Sequence, residues 1–216
     1  MRVIKSAEQR AMPWKNGGGS TTEIAVWPVG AGLGDFAWRV STALVARDGP
    51  FSLFEGVDRT LTVLDGGPLG LTFADGRIVS LDTASAPFAF AGDAAVQGAV
   101  GGQPVRDLNV MTRRGVWRHG VWIEWSAFHL AGGVRLVVVR GGDAEARCGG
   151  RVSALKSDDA VMCTDDDAVL EVTLGADAMA YAIVLEEVVE LAPRGAPTPS
   201  GQTASAERFR VPTRLR

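Results

Sequence analysis

Three stretches of this chain gather side chains suited to holding an anion. Pro13-Trp14-Lys15-Asn16-Gly17-Gly18-Gly19 sets an aromatic, a cation and an amide directly before a flexible turn. Phe51-Ser52-Leu53-Phe54-Glu55-Gly56-Val57-Asp58-Arg59 leads into a strand in which Arg59, Leu61 and Val63 share a face. In residues 105–114 the same parity places Asp107, Asn109 and Met111 on one side and Leu108 and Val110 on the other. An arginine on an inward strand face is costly unless paired, since removal of a buried charge's partner costs ~3–5 kcal/mol. Either Asp107 satisfies Arg59 as a structural ion pair, or a bound anion does. A guanidinium receives a carboxylate on two parallel N–H groups, a charge-assisted contact worth ~1.5–3 kcal/mol. Lysine acts only as a point charge.

Other chemistries find less support in the residues. The glycines after Asn16 lack a Gly-Lys-Ser/Thr ending and open no helix after a strand, so they mark neither a P-loop nor a dinucleotide site; an ordinary turn is the alternative. His119 and His129 are the only histidines, and neither has a second histidine at metal-motif spacing. No metal or other cofactor is therefore expected. Cys148 and Cys163 form neither a disulfide framework nor a zinc pattern and read as reduced, buried thiols. Asp158-Asp159 and Asp165-Asp166-Asp167 lack the alternating ligands of a calcium loop and read as solvated turns.

The elements that position these groups must be strands. Punctuation by 27 glycines and 10 prolines cuts the chain of 216 residues into short apolar runs, which favours an all-β barrel or jelly roll. Phe36, Trp38, Val40 and Leu44 fall on one face of a strand, with Arg39 and Ser41 on the other. Further strands are expected at residues 22–28, 59–64, 105–112, 121–130, 135–139, 168–174 and 179–185. Ala74-Asp75-Gly76 between residues 69–73 and 77–81 predicts a hairpin. Ser6-Ala7-Glu8-Gln9, a Ser-x-x-Gln capping box halted at Pro13, predicts one short N-terminal helix.

Bulk properties narrow the partners. A formal net charge of -3 argues against nucleic acid, and no apolar run approaches the ~20 residues that span a bilayer. The N-terminus lacks the pattern of a secretory signal, so a cytoplasmic location is expected.

Taken together, the three clusters, including Thr22-Glu23-Ile24 and Asp107-Leu108-Asn109-Val110-Met111-Thr112-Arg113-Arg114, resemble the HutD/Ves family in order and spacing. The resemblance implies a cupin-like double barrel (a bicupin of jelly-roll type) and an association with histidine utilisation. It also implies formylated or imidazole-derived acids, N-formylglutamate or urocanate, as ligands. Trp14, Lys15, Asn16, Arg59, Asp107, Asn109 and Arg113 match its motif positions. Strand parity and proximity add Arg39, Ser41, Phe51 and Ser52 as candidate ligand-binding residues. The expected organisation is a first barrel over 1–117, a smaller one over 118–190 that shares strands with it, and a basic tail over 191–216. The expected function is metal-independent binding of a small anionic metabolite, with a homodimer as the assembly allowed for. An enzyme using Asp107 as general base and a protein-interaction module are the alternatives.

Overall fold

The computed structural model describes residues 1–9, 11–14, 16–164 and 168–189. Lys15, the acidic run 165–167 and the expected tail therefore lie outside the described residues. The N-terminal half carries β1 (Arg2–Ile4), β2 (Ala11–Pro13), β3 (Gly19–Trp27), β4 (Trp38–Val45), β5 (Gly49–Pro50) and β6 (Val57–Gly66). It continues through β7 (Leu69–Phe73), β8 (Ile78–Leu81), β9 (Phe88–Ala91), β10 (Val96–Ala99) and β11 (Val105–Arg113). The C-terminal half carries β12 (Trp117–Glu124), β13 (Phe128–Leu130), β14 (Val134–Arg140) and β15 (Ala144–Cys148). It ends with β16 (Arg151–Leu155), β17 (Ala160–Cys163), β18 (Leu170–Leu174) and β19 (Met179–Glu187).

These strands form four antiparallel sheets, ordered β5-β10-β7-β8, β2-β3-β4-β11-β6-β9, β1-β17-β14-β19-β12 and β13-β18-β15-β16. Each half is a sandwich of one larger and one smaller sheet, cupin-like in form, without hydrogen-bonded closure into a barrel. Leu61, Val63, Leu69, Leu71, Val96 and Val105 fill the first sandwich. Val137, Val139, Ala146, Leu155, Val161 and Val172 fill the second.

A third apolar layer joins the halves, where Trp38, Val40, Leu108 and Val110 meet Leu136, Val138, Tyr181 and Ile183. The two larger sheets are thus buried on both faces, which accounts for the uninterrupted apolar run of β14: Leu136 and Val138 face one core while Val137 and Val139 face the other. Burying each such side chain stabilises the fold by ~1.5–3 kcal/mol.

Several expectations meet their physical test here. The Asp75-Gly76 hairpin forms, with Leu69 opposite Leu81 and Gly76 at a φ of 88°. The expected strand over 121–130 divides into β12 and β13, which belong to different sheets, and Trp125 is left exposed at the break. The N-terminal helix reduces to one 3-10 turn, Ser6–Glu8, without a side-chain cap. Its capping box is displaced by a distant carboxylate. Asp159 Oδ1 accepts the Ser6 amide at 2.9 Å, while Oδ2 accepts Lys5 Nζ at 2.9 Å and the Lys156 amide at 3.0 Å.

Asp159 is 2% exposed, and it pins β1 beside β17 in the sheet of the C-terminal half. Asp159→Ala strands the Ser6 and Lys156 amides, while Lys5 keeps the Ala154 carbonyl, and should lower stability by about 1–3 kcal/mol. Hydrogen exchange should then accelerate at Val3 and Ile4, whereas unchanged protection there would refute the tether.

Candidate functional site

The inward face of β11 orders the interior of the first sandwich by depth. Arg113, Met111, Asn109, Asp107 and Val105 alternate down it, each step of two residues advancing roughly 7 Å. Met111 lies level with Arg39 on β4 and with Arg59 on β6. One step deeper, Asn109 is level with Ser41 and Leu61, and below it Asp107 is level with Ala43 and Val63. Two guanidiniums on strands either side of β11 therefore stand above an amide and a carboxyl. Exposure is 4% for Arg39, 2% for Ser41, 7% for Arg59, 1% for Asp107 and 4% for Asn109.

Hydrogen bonds join these groups into two systems. Arg59 Nε donates to Asn109 Oδ1 at 2.7 Å, and its Nη2 donates to the same oxygen. Asn109 Nδ2 donates in turn to Asp107 Oδ1, while Asp107 Oδ2 is buried with no hydrogen-bond partner. Arg39 Nε donates to Glu23 Oε2 at 3.0 Å, and its Nη1 reaches Ser41 Oγ only at 3.4 Å. The Arg59 guanidinium lies over the Phe51 and Phe90 rings, their centres 4.8 Å and 5.3 Å from Cζ. Gly98 makes room for Phe51, since a Cβ there would stand 2.4 Å from the ring.

Burial dominates the electrostatics. It pushes the Asp107 carboxyl up to about 7, against the opposing pull of Arg59 and the Asn109 hydrogen bond. It also draws Arg59 down to about 10, with Asp107 acting in the other direction. Glu23, the carboxylate partner of Arg39, keeps 34% of its side chain exposed.

The remaining sequence candidates stand apart from this cluster. Trp14 packs at the margin of the first core and donates its Nε1 to Thr21 Oγ1 at 2.7 Å, making it part of the wall. Asn16 is exposed and uses Oδ1 to accept the Gly18 amide at 3.0 Å, a turn-forming role. Ser52 is exposed, and Lys15 is outside the described residues. Arg113 has the inward parity but lies beyond Met111, at the mouth. There its donors go to the carbonyls of Glu55, Gly34 and Phe36 at 3.0, 3.1 and 3.3 Å, tying two loops together.

Two clefts adjoin the polar interior. One of ≈ 440 Å³ at the mouth is lined by Leu33, Leu53, Phe54, Glu55, Val57 and Arg113. Val57 in its lining belongs to an apolar cluster with Val26, Phe36 and Met111. The other, of ≈ 380 Å³, is lined by Asp58, Arg59, Thr60, Phe90, Thr112 and His119 among others. His119 bridges Thr60 Oγ1 at 2.9 Å and Thr112 Oγ1 at 2.7 Å, and burial lowers it to about 4. Among the described residues no group of three His, Cys, Asp or Glu is placed to hold a metal ion.

Sequence reasoning missed Glu23, Phe90 and His119. Glu23 precedes a register shift between Glu23 and Ala25 that breaks simple parity along β3. Phe90 left a signal in the Phe88-Ala89-Phe90 alternation on β9, whereas His119 left none, because its threonine partners lie on other strands.

Two antiparallel sandwiches packed back to back, one with a polar interior, define a bicupin-type protein. The chain belongs to the HutD family, whose model matches residues 6–182. Protein Ves of Citrobacter koseri is 40% identical over 136 residues, covering 60% of this chain and 70% of Ves. A conserved protein of unknown function from Pseudomonas aeruginosa superimposes with a TM-score of 0.78 at 28% identity, over 86% of this chain and 98% of that one. HutD from Pseudomonas fluorescens does so with a TM-score of 0.74 at 29% identity, over 87% and 99%. In fold alone, a cupin 2 conserved barrel domain protein from Leptotrichia buccalis is similar, with a TM-score of 0.55 at 9% identity over 85% and 100%.

The two buried titrations carry opposite signs. Asp107 is raised from 3.8 to about 7, so the native state holds the extra proton and this group's contribution to stability is lost as pH rises through that window. His119 is lowered from 6.5 to about 4, so its contribution is lost as pH falls through that window. Asp107→Asn removes only the first slope. Its stability relative to the wild type should therefore rise between pH 4 and 7, by at most about 1.4 kcal/mol per pH unit. Paired chemical denaturations across that range measure the difference; parallel pH profiles would show Asp107 ionised throughout.

Proposed function

We propose that the protein binds a small carboxylate metabolite inside its first sandwich, anchored by Arg59 and Arg39, in a sensing or regulatory role within histidine utilisation. The supporting observation is that two buried guanidiniums engage only part of their donor forks within the protein, and that Arg59 also lines a cleft. Two nearly inaccessible guanidiniums share one amide oxygen, one oxygen of a half-exposed carboxylate and a hydroxyl at 3.4 Å. A buried guanidinium normally has its donor fork filled, because unmatched polar groups in an apolar surround are costly. A ligand carboxylate offers the matching pair of oxygens, and Asn109 and Ser41 are placed beside it to orient polar groups. Membership of the HutD family supports N-formylglutamate and urocanate as the first acids to test.

Thermal denaturation tests this reading. At a hundredfold excess over Kd a ligand stabilises by about 2.7 kcal/mol, which raises the Tm of a chain this long by roughly 5–10 °C. Arg59→Ala should abolish the rise. Arg59→Lys keeps a buried cation without the planar fork and should weaken binding by about 1.5–3 kcal/mol. If none of a panel of small carboxylates moves the Tm of the wild-type protein, the reading is wrong.

One observation favours an enzymatic variant: a carboxyl held near 7 can give or take a proton at physiological pH. Asp107 would then be the general base for a bound acid. Product analysis with N-formylglutamate and urocanate at high protein concentration decides it, since an absence of conversion removes this variant for those substrates while leaving binding intact.

A further inference from the structure

Asp107 is the interior carboxyl for which anion binding alone gives no role. Its Oδ1 accepts the Asn109 amide, and Asn109 Oδ1 accepts Arg59, so guanidinium, amide and carboxyl form one buried chain. A proton on Oδ1 would compete with the Asn109 N–H, whereas Oδ2 is buried with no hydrogen-bond partner, the Ala43 amide acting on the carboxyl only weakly beside burial. Oδ2 can be protonated without breaking any contact in the structure.

The charges around it are few. Arg59 on β6 is the cation acting on it. Arg39 on β4 is engaged by Glu23 of β3. On β6, Asp58 pairs with Arg114 and Asp65 with Arg106 and Arg140. On β11 itself, Arg106 is held by Asp65 and Asp158, and Arg113 by loop carbonyls at the mouth. The facing strands β7 and β10 contribute the apolar Leu69, Leu71, Phe73 and Val96 to this core. A carboxylate seated on Arg59 would cancel the charge that supports an ionised Asp107, leaving two anions about one amide apart in a low-dielectric interior.

We propose, on the footing of the carboxylate-binding reading, that the site takes up its acid as an anion together with one proton, and that the proton lodges on Oδ2 of Asp107. No bond within the ligand forms or breaks. The buffer loses a proton and Asp107 gains an O–H, which balances the one carboxylate seated on Arg59. Burial already places this carboxyl at about 7, so the uptake falls in the physiological range. Linkage is reciprocal: the bound acid raises the proton affinity of Asp107 as much as the proton raises the affinity for the acid. Affinity is then highest below about pH 7 and falls above it, by at most about tenfold per pH unit.

Calorimetric titration with N-formylglutamate, whose own carboxyls stay ionised across the range, reads the proton directly when repeated in two buffers of different ionisation enthalpy. The wild-type protein should take up roughly half a proton or more per ligand at pH 8 and close to none at pH 5.5. Glu23→Gln should keep the uptake, which excludes the other interior carboxylate, and Asp107→Asn should lose it. Should Asp107→Asn fail to fold, the wild-type and Glu23→Gln titrations decide the matter alone. Binding at pH 8 without proton uptake overturns this proposal and leaves the carboxylate reading in place; no binding at either pH overturns both.

Discussion

The six-stranded sheet is held from behind, and the polar interior depends on that support. Trp38, Val40, Leu108 and Val110 on its outer face are committed to the layer shared with Leu136, Val138, Tyr181 and Ile183. Deep in the first sandwich, Leu61, Val63, Leu69 and Leu71 supply a second apolar contact. With both anchors in place, the inward face can carry Arg39, Arg59, Asn109 and Asp107 alongside the aliphatic packing, Asn109 level with Leu61 and Asp107 level with Val63. An isolated sandwich with the same interior would have to absorb the desolvation of two guanidiniums and a carboxyl on its one remaining core.

The halves also differ in what they enclose. Phe128, Val137, Ala146, Cys148, Leu155, Cys163 and Leu170 fill the second sandwich, and the buried Arg135, which shares the parity of Val137 and Val139 on β14, gives its donors to the carbonyls of Gly133 and Thr164. Its contribution is mechanical. It supplies the surface against which the six-stranded sheet rests, and its loop residue Asp158 joins Arg140, Asp65 and Arg106 in an ion-pair network across the halves. Asp158 adopts a φ of 70°, a conformation uncommon outside glycine, to take that position. Two similar frameworks thus divide the work, one presenting polar groups and the other bracing them.

Much of the fold was legible because short alternating runs and glycine turns are local signals. The hairpin at Asp75-Gly76 is set by its own residues, and the pairing of Leu69 with Leu81 follows from it. The capping box at Ser6 was equally clear in the sequence, yet Asp159, 153 residues away, claims the Ser6 amide, and no local rule could foresee that. Within the site, parity alone sorted Arg39 with Ser41 and Asp107 with Asn109. What it could not supply was depth: Arg113 obeys the same alternation as Asn109, but four residues along β11 carry it past Met111 to the mouth, where loop carbonyls take its donors. Glu23 escaped because a register shift separates it from the regular alternation of β3.

The two arginines at the level of Met111 are not equivalent, and the difference suggests how the interior is organised. Arg39 is paired with a carboxylate that retains contact with solvent, so its charge is balanced by a group that can be hydrated when displaced. Arg59 donates its hydrogen bonds to an amide oxygen, and its counter-charge stands one residue step deeper, behind Asn109. Moving the carboxylate away from the guanidinium weakens the Coulomb pairing that would otherwise hold Asp107 ionised, while the intervening amide keeps the chain connected. The Arg59 guanidinium lies over the Phe51 and Phe90 rings, which add cation–π attraction to its hydrogen bonds with the amide. On the proposed carboxylate reading, a planar pair of accepting oxygens would match the guanidinium fork better than a sphere of charge.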